Sequence, residues 1–94
     1  MRNTQFSNNL IKVENALGIS KEIIFDKSKN IDSVEARDLL FYLCRKQHMR
    51  ASTILGFCQK LGFNTHISQI TRATQKMESK MSKDNMWNIL VKDL

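Results

Sequence analysis

Apolar residues recur along most of this chain three or four positions apart, the interval that lines one side of an α-helix. Phe6, Leu10, Val13 and Leu17 form the first such stripe, and Gly18 directly after it ends a short amphipathic helix. Residues 1–5 ahead of it read as a flexible lead. Ser20 is placed to cap a second, shorter helix through Ile23, Ile24 and Phe25, with Glu22 in its first turn near the positive end of the dipole. Residues 26–30, DKSKN, are polar and aperiodic and predict a loop. Asp32 followed three residues later by Glu35 resembles a capping box. The helix it would start runs to about Gln47, buries Ala36, Leu39, Leu40 and Leu43, and is the expected central helix.

Residues 50–77 read as two further helices joined by a short turn. Ile54, Phe57, Cys58 and Leu61 stand at i, i+3, i+4 and i+7 on the first, which Ser52 or Thr53 would cap. Gly62 can adopt the left-handed backbone that ends a helix, after which Asn64 or Thr65 would cap the next. That helix would rest Ile70, Ala73 and Met77 on the core and offer Ser68, Gln69, Arg72, Gln75 and Lys76 outward. It should continue about a turn further, giving a helix-turn-helix over about residues 52–79. Ser82 would then cap a final helix, with Met86, Ile89 and Leu90 closing the core and Trp87, Val91 and Leu94 as a second flank. Strict period-two alternation is absent, and the chain has no proline and three glycines. The expectation is one all-α domain over residues 1–94, a compact bundle of about five to six helices.

Charge sharpens this picture. The net charge is +6, and residues 37–76 hold seven bases (Arg37, Arg45, Lys46, Arg50, Lys60, Arg72, Lys76) against one acid, Asp38, while the rest of the chain balances. The excess thus coincides with the helix-turn-helix and the helix leading into it, as expected of a face that meets a polyanion. The alternative is a solvated surface whose cations scatter over several faces. Cys44 and Cys58 fall on apolar faces and read as reduced core thiols, which points to the cytoplasm. No apolar run approaches a membrane span, so no membrane partner is expected. His48 and His66 have no Cys or acid at helical spacing, no metal-ligand spacing occurs, and there is no glycine-rich phosphate loop. Neither an enzyme, a small-molecule substrate nor a cofactor is expected.

The major groove of B-DNA admits one helix, and side chains at the N-terminal end of that helix reach base edges. Here they would be Asn64, Thr65, His66, Ser68 and Gln69, with Arg72 and Lys76 one and two turns on for phosphate. Arg50, Ser52 and Thr53 would fix the register on the backbone. Arg37, projecting from the first turn of the central helix, completes the candidate set with Arg45 and Lys46 near its end, where the dipole alone is reason enough for cations. For Asn64 and His66 the competing reading is helix capping without a ligand.

VEARDLLFYLCRK, ILGFCQKLGFNTHISQITRATQKM and KDNMWNILVKDL together resemble the C-terminal DNA-binding domain, domain IV, of the bacterial replication initiator DnaA, over about residues 13–94. The resemblance implies a Trp-repressor-like helix-turn-helix that binds origin boxes in duplex DNA on the nucleoid, with replication proteins as further candidate partners. It implies that Arg37 enters the minor groove beside the box and that His66 reads bases in the major groove. Thr65 stands at the signature's aspartate and Asn64 at its arginine. Ile67 reads as a one-residue insertion, so Ser68 or Gln69 stands for the hydroxyl residues that follow. No ATPase motor of the kind that precedes this domain in an initiator occurs in these residues, so alone the chain would mark or occupy DNA sites rather than melt an origin. Two other functions fit the pattern: a helix-turn-helix transcription regulator, and a small helical module whose basic face meets an acidic protein.

Overall fold

Buried apolar stripes three and four residues apart fold, in a computed structural model that describes residues 2–26 and 30–92, into an all-α bundle of six helices among those residues. They are α1 (Arg2–Leu17), α2 (Lys21–Ile24), α3 (Ile31–Lys46), α4 (Ala51–Lys60), α5 (Ile67–Lys83) and α6 (Asn85–Lys92). No helix among them is long and apolar enough to cross a membrane.

The first helix begins at Arg2, so residues 2–5 are helical rather than a lead. Phe6, Leu10 and Val13 are buried as their spacing predicts. Between them Asn9 is buried too: its Nδ2 donates to Gln47 Oε1 at 3.1 Å and to Cys44 Sγ at 3.4 Å, and Gln47 Nε2 donates back to Asn9 Oδ1 at 3.2 Å. This reciprocal amide pair supplies the hydrogen bonds without which burying Asn9 would be costly, and it pins α1 to the end of α3. Ser20 precedes α2 but makes no side-chain cap. Glu14 Oε2 instead accepts from the Lys21 N–H at 2.9 Å, putting a carboxylate at the N-terminal end of α2.

The central helix is capped by Asn30, whose Oδ1 accepts from the Asp32 N–H at 3.0 Å. Asp32, expected as the cap, is already helical, because Asn30 has the extended backbone that aims a side chain at that donor. Ala36, Leu39, Leu40 and Leu43 are all buried, and so are Ser33, Asp38, Phe41, Tyr42 and Cys44. So many sides are covered because α3 packs against α1, α2, α4 and α5. It ends in a Schellman motif: His48 N–H donates to Arg45 O at 2.9 Å and Met49 N–H to Cys44 O at 3.0 Å, with His48 at φ 66°. Met49 is thereby turned fully into the core.

Arg50, not Ser52 or Thr53, precedes α4, and both hydroxyl residues lie inside it. Ile54 and Cys58 are buried, and Phe57 stacks on Phe6 with centroids 4.8 Å apart. Leu61 is exposed, since the helix ends before it and turns it off the stripe. Burial pushes the thiols up, Cys44 to about 11 and Cys58 to about 12, so both stay protonated small hydrophobes.

Ser82 does not start the last helix, because α5 runs through it; Asp84 does, its Oδ1 accepting from the Met86 N–H at 2.9 Å. The last helix is also rolled relative to expectation. Trp87, Leu90 and Val91 lean on the core while Met86 and Ile89 are exposed, with Lys80 Nζ 5.6 Å above the Trp87 ring. Leu94 lies outside the described residues, as do residues 27–29 of the expected loop.

Candidate nucleic-acid interface

The connection between α4 and α5 is built around Gly62. Its φ of 77° allows the Gly62 N–H to reach Gln59 O at 3.0 Å and the Phe63 N–H to reach Cys58 O at 2.9 Å, a second Schellman motif. A Cβ at this position would meet nothing within 4 Å, so backbone strain is the only cost of adding one. Gly62→Ala is therefore expected to destabilise the fold by about 1 kcal/mol, read as a lower urea midpoint at unchanged m.

Phe63, the next residue, is held between Phe25, 5.7 Å away by ring centroids, and the Arg37 guanidinium, 4.8 Å above its ring. Arg37 Nη1 also donates to Ile24 O at 2.8 Å and Asp26 O at 2.9 Å. Arg37, expected to project from the first turn of the central helix, thus turns back onto the fold. It is half-buried, and it clamps the end of α2 and the α4–α5 turn onto α3. Its ordinary pKa is lowered by that burial, against the pull of Asp38 and Asp26 in the other direction.

Residues 64–66 deliver the chain into α5. His66, rather than Asn64 or Thr65, stands at the cap position, in extended conformation and without a side-chain cap. Thr65 is buried, and its Oγ1 donates to Gln69 Oε1 at 2.6 Å, which occupies the carbonyl end of that amide and leaves its NH₂. Arg37, Asn64, Thr65 and Gln69 are brought together around a cleft of about 330 Å³, with Asp38 in its lining.

Asp38 is the residue that the pattern of bases concealed. Its side chain is 8% exposed, its Oδ2 makes no hydrogen bond, and Lys76 Nζ stands 3.5 Å from that oxygen. Burial raises its carboxyl pKa, prevailing over Lys76, Lys80 and Arg37, which all lower it. The signal available in sequence was its place beside Leu39 in a helix buried on several sides. Lys76 is 54% exposed despite this partner, and one turn on Lys80 Nζ lies 3.6 Å from Glu35 Oε2.

The outer face of α5 carries Ser68, Arg72 and Gln75, all exposed, opposite the buried Ile70, Ala73 and Met77. Arg45 and Lys46 do not join the Arg37 cleft. They line a separate cleft with Thr74 and Glu78, on the other side of the α5 buried stripe. There Arg45 Nη1 donates to Met49 O at 3.3 Å and Lys46 Nζ to Tyr42 Oη at 3.0 Å. Arg50, Ser52 and Thr53 are at the start of α4, the end remote from the turn, which its ten residues put about 15 Å along the helix. The thirteen candidates therefore divide into eight along α5, the turn before it and the neighbouring Arg37, a pair on the far flank of α5, and a trio at the start of α4. Among the described residues no three His, Cys, Asp or Glu gather as metal ligands.

Compared with known protein families, curated proteins and solved structures, the chain matches none.

Proposed function

We propose that this chain is a sequence-specific duplex-DNA-binding domain that uses α4 and α5 as a Trp-repressor-like helix-turn-helix. In this reading it acts on the nucleoid in replication initiation or its control, as the resemblance to domain IV of the DnaA initiator implies. One observation carries it. The single acid among residues 37–76 is buried, so the charge displayed by that segment is positive alone, and part of it, from Arg45, Lys46, Arg72 and Lys76, flanks a helix whose outer face carries the exposed Ser68, Arg72 and Gln75. Helix insertion into the major groove needs such a face, and phosphate contact needs such charge.

On this reading Ser68, Gln69 and His66 meet base edges, Arg72 and Lys76 meet phosphate, and Arg45 and Lys46 contact the backbone on the far side of α5. Selection of bound sequences from a randomised duplex pool tests it. Enrichment of one motif, bound at least about a thousandfold more tightly than random duplex, is the expected result. Arg72→Ala should weaken binding to every duplex alike and make the slope of log K against log salt shallower by about 0.9, whereas His66→Ala should flatten sequence preference. Indifference to all duplexes at low ionic strength would overturn the reading. Binding without preference among sequences would favour an adaptor with a basic face.

A further inference from the structure

The cleft that α3 forms with the turn and the start of α5 contains a group that duplex binding leaves unused. Asp38 is part of its lining, with a side chain only 8% exposed and no hydrogen bond at Oδ2. Lys76 Nζ stands 3.5 Å from that oxygen, beyond the roughly 2.7–2.9 Å usual for a charged donor on a carboxylate, and the lysine is 54% exposed, so water can replace this contact at little cost. Gln69 lines the same cleft. Thr65 Oγ1 holds its Oε1 at 2.6 Å, which leaves the amide NH₂ as a fixed donor. Val34, Phe41, Phe63 and Ala73 supply apolar walls. At about 330 Å³ the cleft lies near the small end of ligand pockets, which run from about 300 to 1,000 Å³.

We infer that this cleft binds a free guanine nucleotide. A ligand that satisfies Asp38 has to bring neutral donors, because Arg37 and Lys76 already stand beside the carboxyl and oppose another cation. It has to bring an acceptor to Gln69 as well. Guanine carries that set along one edge: N1–H and the 2-amino group donate side by side, as the two oxygens of a carboxylate accept, and the adjacent O6 accepts. Adenine offers an acceptor at N1 and a donor at its 6-amino group, the wrong sign at both places. In a duplex the guanine edge is paired to cytosine, so the cleft takes an unpaired nucleotide whether or not the chain also binds duplex DNA. The apolar walls cover the base, and the exposed Arg72 and Lys76 supply cations for its phosphate.

Calorimetric titration of the protein, without DNA, with guanosine monophosphate tests this. Saturable binding is expected, at least about tenfold tighter than for inosine monophosphate, which lacks only the 2-amino group, or for adenosine monophosphate. Asp38→Asn exchanges one acceptor for an NH₂ donor. This variant, its helicity checked by circular dichroism, should bind guanosine monophosphate at least about tenfold more weakly and prefer xanthosine monophosphate, whose 2-oxo group accepts where guanine donates. A loss of fold cannot produce that exchange. Absence of saturable binding, equal affinity for the guanine, inosine and adenine forms, or an Asp38→Asn variant without the exchange of preference would overturn the inference. A single strand with one guanine among thymines, bound more tightly than the mononucleotide, would overturn the assignment to a free nucleotide.

Discussion

Arg37→Ala should lower the unfolding free energy by about 2–3 kcal/mol, because one guanidinium ties three parts of the chain together. Hydrogen bonds from a charged donor contribute roughly 1.5–3 kcal/mol each where they are shielded, and a cation over an aromatic face adds about 0.5–1 kcal/mol. The bond to Ile24 O is the shielded one, since Ile24 is fully buried, while the bond to Asp26 O is exposed and counts for less. Native domains are stable by about 5–15 kcal/mol, so this is a substantial share, and a domain of this length should melt roughly 10–20 °C lower. Arg37→Lys should recover little, because an ammonium cannot lie flat on Phe63 while reaching both carbonyls. Thermal unfolding followed by circular dichroism decides it. A melting temperature within a few degrees of wild type would mean that the guanidinium is free of its clamp and available to DNA, the role implied by the initiator resemblance. A large drop would mean that any binding defect in this variant has to be corrected for the unfolded fraction.

Arg37 also illustrates what a sequence can and cannot disclose about this molecule. Periodicity located α1, α3, α4 and α5 and most of the apolar residues on their buried stripes, though not the exposed Leu61 or the further buried residues Asn9, Ser33, Asp38, Phe41 and Tyr42, because core packing in a helical bundle repeats along the chain. Gly62 was legible for a similar reason: few residues besides glycine adopt φ 77° cheaply. His48 does the same work at the end of α3 with φ 66° and gives no such signal. Caps were misread where several hydroxyl, Asn or Asp side chains fall within a few residues of a helix start. The winner, Asn30 over Asp32 or Asp84 over Ser82, is chosen by backbone angles that composition does not encode. Least legible were buried polar groups satisfied from afar. Asn9 depends on partners 35 and 38 positions away, and Arg37 on carbonyls 11 and 13 positions away. In the candidate interface, the α5 face was readable from helical spacing. The placement of Arg37 on one flank of α5 and of Arg45 and Lys46 on the other was not, because it depends on how α3 lies against α5.

Asp38→Asn should stabilise the folded chain by about 1–2 kcal/mol at neutral pH, the scale of an unsatisfied buried group relieved of its charge. The sign follows from the direction of its pKa. Burial raises the carboxyl above the 3.8 of an unperturbed aspartate, so the folded state holds the proton more tightly than the unfolded chain. The stabilising contribution of the protonated form is complete below about pH 4 and is lost as pH rises through the folded-state pKa, beyond which the buried charge opposes folding. Asparagine has the same shape and stays neutral, so its advantage should vanish near pH 3.5 and be full at pH 7. Lys76 loses an ion partner, but it is 54% exposed, and water replaces a 3.5 Å contact at little cost. Urea unfolding of both proteins at pH 3.5 and pH 7 measures the difference, and a wild type more stable than the variant at pH 7 would show that the Lys76 pair outweighs burial. The same substitution bears on the proposed DNA contact. With its carboxylate partner neutralised, Lys76 meets phosphate without a competing ion partner, so affinity for random duplex should rise and the salt slope should steepen by at most about 0.9. Stability and salt slope should change together only if Asp38 both strains the core and restrains the basic face. A stability gain with an unchanged slope would assign it to the core alone.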